Sequence, residues 1–302
     1  MNSKKGSVLL IVLIIITTAL AIAMSLSEKN TESYVKTVNL KNLLQANIIA
    51  TTAASSVAQI IKEDNNKSDS LEDAWAYPFS YNQDNIFVEI KVTPLNSKIN
   101  INNLYDGEEK VIKRVVDSFE KIAEDNDISL TNLHLIADYI DNNTTPMAYG
   151  NENDDINYFG RTLTVKNKPL DTFFETFIIL DNTSYNKLNK IFTANNGEKK
   201  ININFASKEV LQYYLPELDT YIDDIIKYRE SNVYDDVSEI RKATNIPNDV
   251  YQSLVEFISV KSDDFYLRIN IDISGKLFYY HSLINRKDGV KLFFKGLNEN
   301  YF

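Results

Sequence analysis

The residues with the clearest chemical potential are carboxylates and amides gathered around one polar stretch in the middle of the chain. Ca²⁺ takes about six to eight oxygen ligands of this kind and tolerates irregular loops. The spacing does not match an EF-hand, because the required Gly and the closing Glu are missing. Two interpretations stay open, a solvated acidic loop and a calcium site, and the residues alone favour the loop. The candidate ligands are Asp138, Asp141, Asn143, Glu152, Asp154 and Asp155.

Few other residues offer catalytic chemistry. The 302-residue chain has no Cys, which excludes disulfides and thiol catalysis, and its two histidines, His134 and His281, are far apart in sequence. No Gly-x-Ser-x-Gly nucleophile motif is present. We expect His134 to lie on a helix surface and His281 to be structural within a strand. The sequence therefore predicts a protein that is not an enzyme, with a carboxylate-dependent hydrolase as the alternative from another class.

The charge balance argues against nucleic-acid binding. There are 42 Asp and Glu against 32 Lys and Arg, a net charge of −10, and an acidic surface repels phosphate backbones. The segment 215–219 could suggest a helix-hairpin-helix motif, but it lacks the Gly whose backbone approaches phosphate, and it adds acidic residues.

The hydrophobic fraction of 44% and the length allow two or three globular domains.

The N-terminal segment is the strongest element signal. Lys4, Lys5 and Gly6 precede an apolar run, 8–24, in which only two threonines are polar. Its length is close to the ~20 residues that cross a bilayer, and the two lysines predict a cytoplasmic N-terminus with the rest exported. Three interpretations compete: a secretory signal cleaved near 21–23, an uncleaved anchor, and a prepilin leader cut between Gly6 and Ser7.

A helical pattern continues well beyond the apolar run. No Pro or Gly occurs from Ser7 through Asp73, and apolar residues recur at three- and four-residue steps, for example at Tyr34, Val38, Leu44 and Ile48. One helix over about 8–62 would be ~80 Å long. It would be apolar all round in its first half and amphipathic in its second. A membrane anchor followed by a separate helix remains the alternative.

The rest of the chain predicts strands at both ends of the body and helices between them. Strands are expected at 86–92, 265–273, 277–284 and 290–294, with hairpin turns at Ser274-Gly275 and 287–289. Asp106 is expected to cap a helix over 108–124, with a helix over 130–140 and a polar loop over 141–158 after it. Further helices are expected at 184–192, 207–214, 218–230, 237–243 and 248–258. The motif Lys-Ile-Asn-Ile-Asn occurs twice, at 98–102 and 200–204, and could mark equivalent positions in two small helical modules.

Several motifs in this order resemble the K-type minor pseudopilins of bacterial type II secretion systems, the GspK family. The leader with Gly6 is joined by an Ile-Asn-rich element, an Asp-Tyr-Ile-Asp segment before the acidic loop, and a Pro-Leu step. The chain has no Cys, and Tyr139 stands where many members have Trp. The matching segments are 98–104, 138–142, 168–170, 201–211, 264–268 and 282–286.

The resemblance implies an α+β fold with a long N-terminal transmembrane and spine helix, a pilin-like antiparallel sheet head, and a large inserted α-helical domain of SAM-like modules. The implied parts are a leader over 1–6, a spine helix over 7–62 with its membrane part at about 7–27, the first part of the head at 74–102, helical modules at 103–200 and 201–260, and closing strands at 264–302.

The resemblance also implies the function and its partners. The implied protein is a tip or initiation subunit of a periplasmic pseudopilus, processed at Gly6 and Ser7 by a prepilin peptidase and N-methylated. It would be a single-pass inner-membrane protein with its body in the periplasm. Its implied partners are I- and J-type minor pseudopilins, the major pseudopilin and the inner-membrane secretion platform. A minor pilin of a type IV pilus remains an alternative.

Two site assignments derive from the same resemblance. Ile11 stands at the fifth position after Gly6, where most pilins have a Glu. A carboxylate within a bilayer costs about 2.5–3.5 kcal/mol unless it is paired, so Ile11 fits a tip subunit without a neighbour to satisfy that Glu. Family members also bind calcium in the part of the helical domain that contains Asp138. With this resemblance, the calcium-site interpretation is favoured about as much as the solvated-loop interpretation.

Overall fold

The computed structural model describes residues 3–151, 156–158, 161–194 and 199–296. Side chains are described for these residues except 3–15, 19, 156–158 and 161–163. The chain divides into two units, one up to Ala50 and the other from Thr51 onward.

The first element is a helix, α1, that runs from Ser3 to Glu63. The absence of Gly and Pro beyond Gly6 and the many alanines in its second half favour this conformation. Four alanines at four-residue steps are buried and share one face of the helix: Ala46, Ala50, Ala54 and Ala58. The prediction of a long N-terminal helix is confirmed.

The second unit contains a five-stranded antiparallel sheet, in which the first two strands of the described chain lie beside its last three. The predicted strands and both hairpins are present. Ser274 and Gly275 both have positive φ, as a tight hairpin turn requires. The first edge strand was not predicted, because it is only five residues long and three of them are Ser, Asn and Gln. The bounds are β1 Phe79–Gln83, β2 Ile86–Pro94, β9 Asp264–Ile273, β10 Lys276–Asn285 and β11 Gly289–Gly296.

The segment between β2 and β9 carries eight short helices and three strand pairs in the part of the chain that is described. The helices are α2 Asn103–Asp106, α3 Glu109–Asp125, α4 Leu130–Ile140, α5 Asn182–Leu188, α6 Lys208–Tyr214, α7 Ile222–Arg229, α8 Ile240–Ala243 and α9 Asn248–Leu254. The strands are β3 Ile99–Asn100, β4 Ile156–Tyr158, β5 Arg161–Leu163, β6 Phe192–Thr193, β7 Ile201–Asn202 and β8 Ile258–Ser259. One continuous apolar core, from Ile99 to Ile258, joins these elements.

Two local predictions in this segment are wrong. Asp106 does not cap α3; it ends α2, and Glu108 occupies the position before α3 without a side-chain cap. The polar stretch 141–158 is not entirely a loop, because β4 at its end pairs with β5 in an antiparallel hairpin. Both errors arise from strong turn formers, which mark where a periodic pattern breaks but do not specify the next element.

The repeated motif has the same structure in both copies. Ile99 and Asn100 pair in parallel with Phe192 and Thr193, and Ile201 and Asn202 pair in parallel with Ile258 and Ser259. In the first copy the buried Asn102 side chain donates to Leu170 O and accepts from Leu170 N.

The second copy repeats the amide contacts of the first. The Asn204 side chain makes the same two bonds with Tyr234. We call the segments 98–193 and 200–259 the two repeats, because each begins with the motif and makes the same parallel strand pair and the same two amide bonds.

Candidate functional site

The candidate assembly surface is an apolar stripe on α1, which we call the apolar helix face. It consists of Leu40, Leu44 and Ile48, which recur every four residues and therefore share one side of the helix. They are 57%, 55% and 65% exposed. They lie on the side of the helix opposite Ala46 and Ala50.

More exposed apolar side chains precede this face on the same helix. The large ones are Ile16, Leu20, Ile22, Met24, Leu26, Tyr34 and Val35. Exposed Leu is ordinary when isolated, but a long series of apolar side chains on one element indicates a surface that binds lipid or protein. The arrangement can therefore hold a neighbouring helix or a bilayer, and it offers no chemistry of its own.

The predicted processing residues lie at the start of this helix. Gly6, Ser7 and Ile11 are within the backbone of α1, but their side chains lie outside the described residues. Cleavage between Gly6 and Ser7, and the role of Ile11, therefore stay predictions.

No helix among the residues with described side chains is long and apolar enough to cross a membrane. The predicted membrane part, 7–27, includes 7–15 and Ala19, whose side chains lie outside that range.

The acidic candidate site is centred on Asp138, near the end of α4. Asp138 is fully buried, and its two carboxylate oxygens accept from Met147 N at 3.0 and 3.3 Å. Burial raises the pKa of the Asp138 carboxyl, and hydrogen bonds from the backbone of Met147 and Asn151 offset part of that rise. Because the loop folds its own amides onto this carboxylate, Asp138 fixes the loop whether or not an ion binds nearby.

The structure places only part of the predicted ligand set. The Asp141 Oδ2 atom accepts from Asn143 Nδ2 at 2.7 Å, at the exposed start of the loop. Glu152, Asp154 and Asp155 lie outside the described residues. Calcium binding by Asp138, Asp141 and Asn143 with these three stays a prediction.

The predicted location of His134 on a helix surface is wrong. His134 is 5% exposed, its Nδ1 atom accepts from Tyr149 N at 3.1 Å, and its ring stacks on the Tyr149 ring. The acidic loop folds back over α4 and covers His134. The periodicity of α4 alone could not predict this burial, because the covering residues lie outside the helix.

His281 is a buried strand residue, as predicted, and its Nδ1 atom lies 2.5 Å from the Tyr266 hydroxyl.

A buried ionic cluster after the end of α1 was not predicted as a site. We call it the Arg286 cluster. Asp64, Asp69 and Asp73 place carboxylate oxygens close together there. Arg286 donates from Nη2 to Asp69 at 2.7 Å and from Nη1 to Asp64 at 3.3 Å, and Lys261 lies 3.0 Å from Asp69. The two cations offset much of the negative charge, so the cluster has the character of a structural ion-pair network.

The Arg286 cluster fixes the end of α1 within the second unit. Arg286 Nη1 donates to Ile61 O at 3.0 Å, one of the carbonyls left free at a helix C-terminus, and Nε donates to Ser262 O. Trp75 donates to Asp64 Oδ2 at 3.0 Å. The sequence signal was weak, since the three aspartates occur in a polar stretch that otherwise resembles a plain loop.

Asp64 and Asp69, two of the three carboxylates of the cluster, differ in the direction of their pKa shifts. Burial alone would raise the pKa of Asp64, but hydrogen bonds from Asn66, Trp75 and Arg286 and the charge of Lys261 lower it below its ordinary value. For Asp69 burial dominates, and its pKa is raised in spite of Arg286 and Lys261.

Among solved structures, the chain is similar to a chain from a complex of three different proteins. The fold combines a long N-terminal helix with an antiparallel sheet. The similar chain belongs to the GspK–GspI–GspJ complex of the type 2 secretion system of enterotoxigenic Escherichia coli. The TM-score is 0.73 at 19% identity, and the match covers 87% of this chain and all of that one. This confirms the predicted fold class.

The sequence comparisons add nothing further to this likeness. No family model matches the sequence, and no curated protein matches it.

Proposed function

We propose that this chain is a minor pseudopilin of a type II secretion system, acting at the tip of the periplasmic pseudopilus. The observation that carries the proposal is α1, a helix of 61 residues that ends in the head and exposes the apolar helix face. The likeness of the fold to that of a chain of a type 2 secretion-system complex supports the same role.

The physical argument concerns the exposed apolar area of α1. Leu40, Leu44 and Ile48 are each more than half exposed, and covering such side chains contributes roughly 25 cal/mol per Å². Because these residues recur every four positions, the partner that covers them best is another helix running alongside. In a pseudopilus that partner is the spine helix of a neighbouring subunit.

The proposed partners are I- and J-type minor pseudopilins, with the major pseudopilin below them. The solved structure to which this chain is similar is a complex of GspK, GspI and GspJ, and this supports the proposed partners. The proposed location is the bacterial inner membrane, with the N-terminus in the cytoplasm and the body in the periplasm. The role consists of binding and assembly, without catalysis.

Mapping of the mature N-terminus tests the processing step. Expression with a prepilin peptidase should give a protein that begins at Ser7 with a methylated amine, detected by intact-mass and peptide mass spectrometry. A Gly6→Ala variant, with the larger side chain at the cleavage position, should remain unprocessed. A start near Met24, or no cleavage of the parent chain, would contradict the proposal.

Co-purification tests the assembly role. The chain should form a complex with I- and J-type pseudopilins from the same organism, and Leu44→Lys/Ile48→Lys should weaken it because both substitutions place charge on the apolar helix face. Leu277→Lys is the matched control, since Leu277 is as exposed as Leu44, 55% in each case, but lies on β10. Recovery of pilus minor pilins in place of secretion partners would favour the type IV pilus alternative.

A further inference from the structure

A groove of about 740 Å³ lies where the two repeats meet. One wall is a face of α3 in the first repeat. The other wall is formed in the second repeat by the ends of α6 and α9 and by the residues that follow each of these helices. Neither the apolar helix face nor the acidic loop contributes to it, so it is a separate surface.

The α3 wall concentrates positive charge in an acidic chain. Lys110, Lys113, Arg114 and Lys121 all line the groove, with Asp117 as the acid of the same wall. Two of the four cations are already paired. Arg114 forms a bidentate pair with Glu217 at 2.8 and 3.0 Å, and Lys110 lies 3.1 Å from Glu256.

The amines of Lys113 and Lys121 are available to bind a ligand. Both are exposed, and among the described residues neither forms an ion pair with a carboxylate. The Lys121 amine lies 5.9 Å from the centre of the Tyr213 ring, and the Arg114 guanidinium lies 4.0 Å above the Phe257 ring. The groove therefore combines two available cations with aromatic walls.

The spacing of the two lysines defines what would fit. They are eight residues apart on one helix face, which is about 12 Å at 1.5 Å per residue. An extended peptide advances about 3.3 Å per residue and places alternate side chains on one side. Carboxylates four residues apart would therefore reach both lysines, and the side chain midway between them would enter the groove that Tyr213 and Phe257 also line.

We propose that this groove binds an extended acidic peptide segment of a partner protein, with two carboxylates four residues apart and an aromatic side chain between them. A polyphosphate or nucleic acid fits less well, because Asp117, Glu217 and Glu256 interrupt the positive charge and would repel a dense row of phosphates. The inference does not depend on the proposed role in a pseudopilus.

The test is a titration of the full chain in dodecyl maltoside with a fluorescein-labelled peptide, Gly-Asp-Ser-Tyr-Ser-Asp-Gly, followed by fluorescence anisotropy. We expect a Kd below about 1 mM. A peptide with Asn in place of both Asp should bind about tenfold more weakly, since two surface ion pairs are lost. A peptide with the two Asp only two residues apart loses one of the pairs and should bind about threefold more weakly.

Variants of the protein place the binding in the groove. Lys113→Glu/Lys121→Glu should weaken binding at least about tenfold, and Lys113→Gln/Lys121→Gln should give a smaller loss in the same direction. Lys168→Glu/Lys190→Glu makes the same change in net charge at positions outside the groove and should bind like the parent. Circular dichroism melting should be alike for all.

Three results would overturn the proposal. The first is no binding of the Asp peptide below about 1 mM. The second is equal binding by the Lys113 and Lys121 variants. The third is lysine-dependent binding of inorganic polyphosphate or phosphatidylglycerol vesicles without binding of the peptide, which would assign the groove to phosphate ligands.

Discussion

Replacement of Arg286 by Met tests whether the Arg286 cluster holds the head together. The side chain is nearly buried, and it pairs with Asp69 and Asp64 while donating to Ile61 O and Ser262 O. Met fills similar volume but leaves Asp69, which is fully buried, with Lys261 as its remaining cation. Removing one partner of a buried ion pair costs about 3–5 kcal/mol, a large fraction of the roughly 5–15 kcal/mol that keeps a domain folded.

The assay is urea denaturation followed by fluorescence. The chain has one Trp, and Trp75 donates to Asp64 and packs against Phe265, so its emission reports directly on the cluster. Arg241→Met is the control, because Arg241 is exposed and outside the cluster, and it should change the free energy of unfolding by less than about 1 kcal/mol.

A double variant separates the ion pair from simple loss of packing. Asp69→Asn added to Arg286→Met removes the buried charge that the single variant leaves with Lys261 alone, so part of the lost stability should return. A loss below about 1 kcal/mol in Arg286→Met, or a coupling between the two sites that is indistinguishable from zero, would refute the reasoning.

Three further predictions use other parts of the head. Calorimetric titration with Ca²⁺ should show saturable binding that Asp138→Asn weakens and Asp69→Asn does not; a flat titration would leave the acidic loop as a solvated loop. Asn102→Ala and Asn204→Ala should lose similar stability in urea, about 1–3 kcal/mol for each backbone group left unpaired, whereas a large effect at only one site would contradict their equivalence. Asp181 caps α5, and hydrogen bonds from the backbone and hydroxyl of Ser184 lower its pKa. Asp181→Ala should therefore cost about 0.5–2 kcal/mol near neutral pH, and the difference should vanish as the pH falls through the lowered pKa.

Elements with a strong period could be predicted from the sequence. The alternation at 265–273 predicted β9, and the apolar residues at three- and four-residue steps from Leu130 to Ile140 predicted α4. Weak elements could not be predicted in this way. β1 contains mostly polar residues and is exposed along its whole length, so its strand conformation depends on pairing with β2 and not on its own pattern.

The candidate site shows the same division between local and long-range information. The series of apolar residues on α1 is a local pattern and was evident in the sequence. His134 is buried because the loop that contains Tyr149 folds back over it. The Arg286 cluster joins residues more than 200 positions apart in sequence, since Arg286 pairs with Asp64 and Asp69. No periodicity within one element carries that information, because the contacts are made by segments that meet only in the folded chain.

The two repeats show how little sequence is needed to specify a local arrangement. The copies of Lys-Ile-Asn-Ile-Asn bring with them the same parallel strand pair, and Asn100 and Asn202 each accept from the backbone two residues further on. The partners that Asn102 and Asn204 bind, Leu170 and Tyr234, share no side-chain chemistry, because the bonds are made to backbone groups.

The surrounding helices are therefore free to differ while the Asn residues keep the arrangement fixed. This explains why the groove between the repeats could acquire its own charge pattern. α3 and the ends of α6 and α9 provide its walls, and none of these helices supplies the Asn contacts that define the repeats.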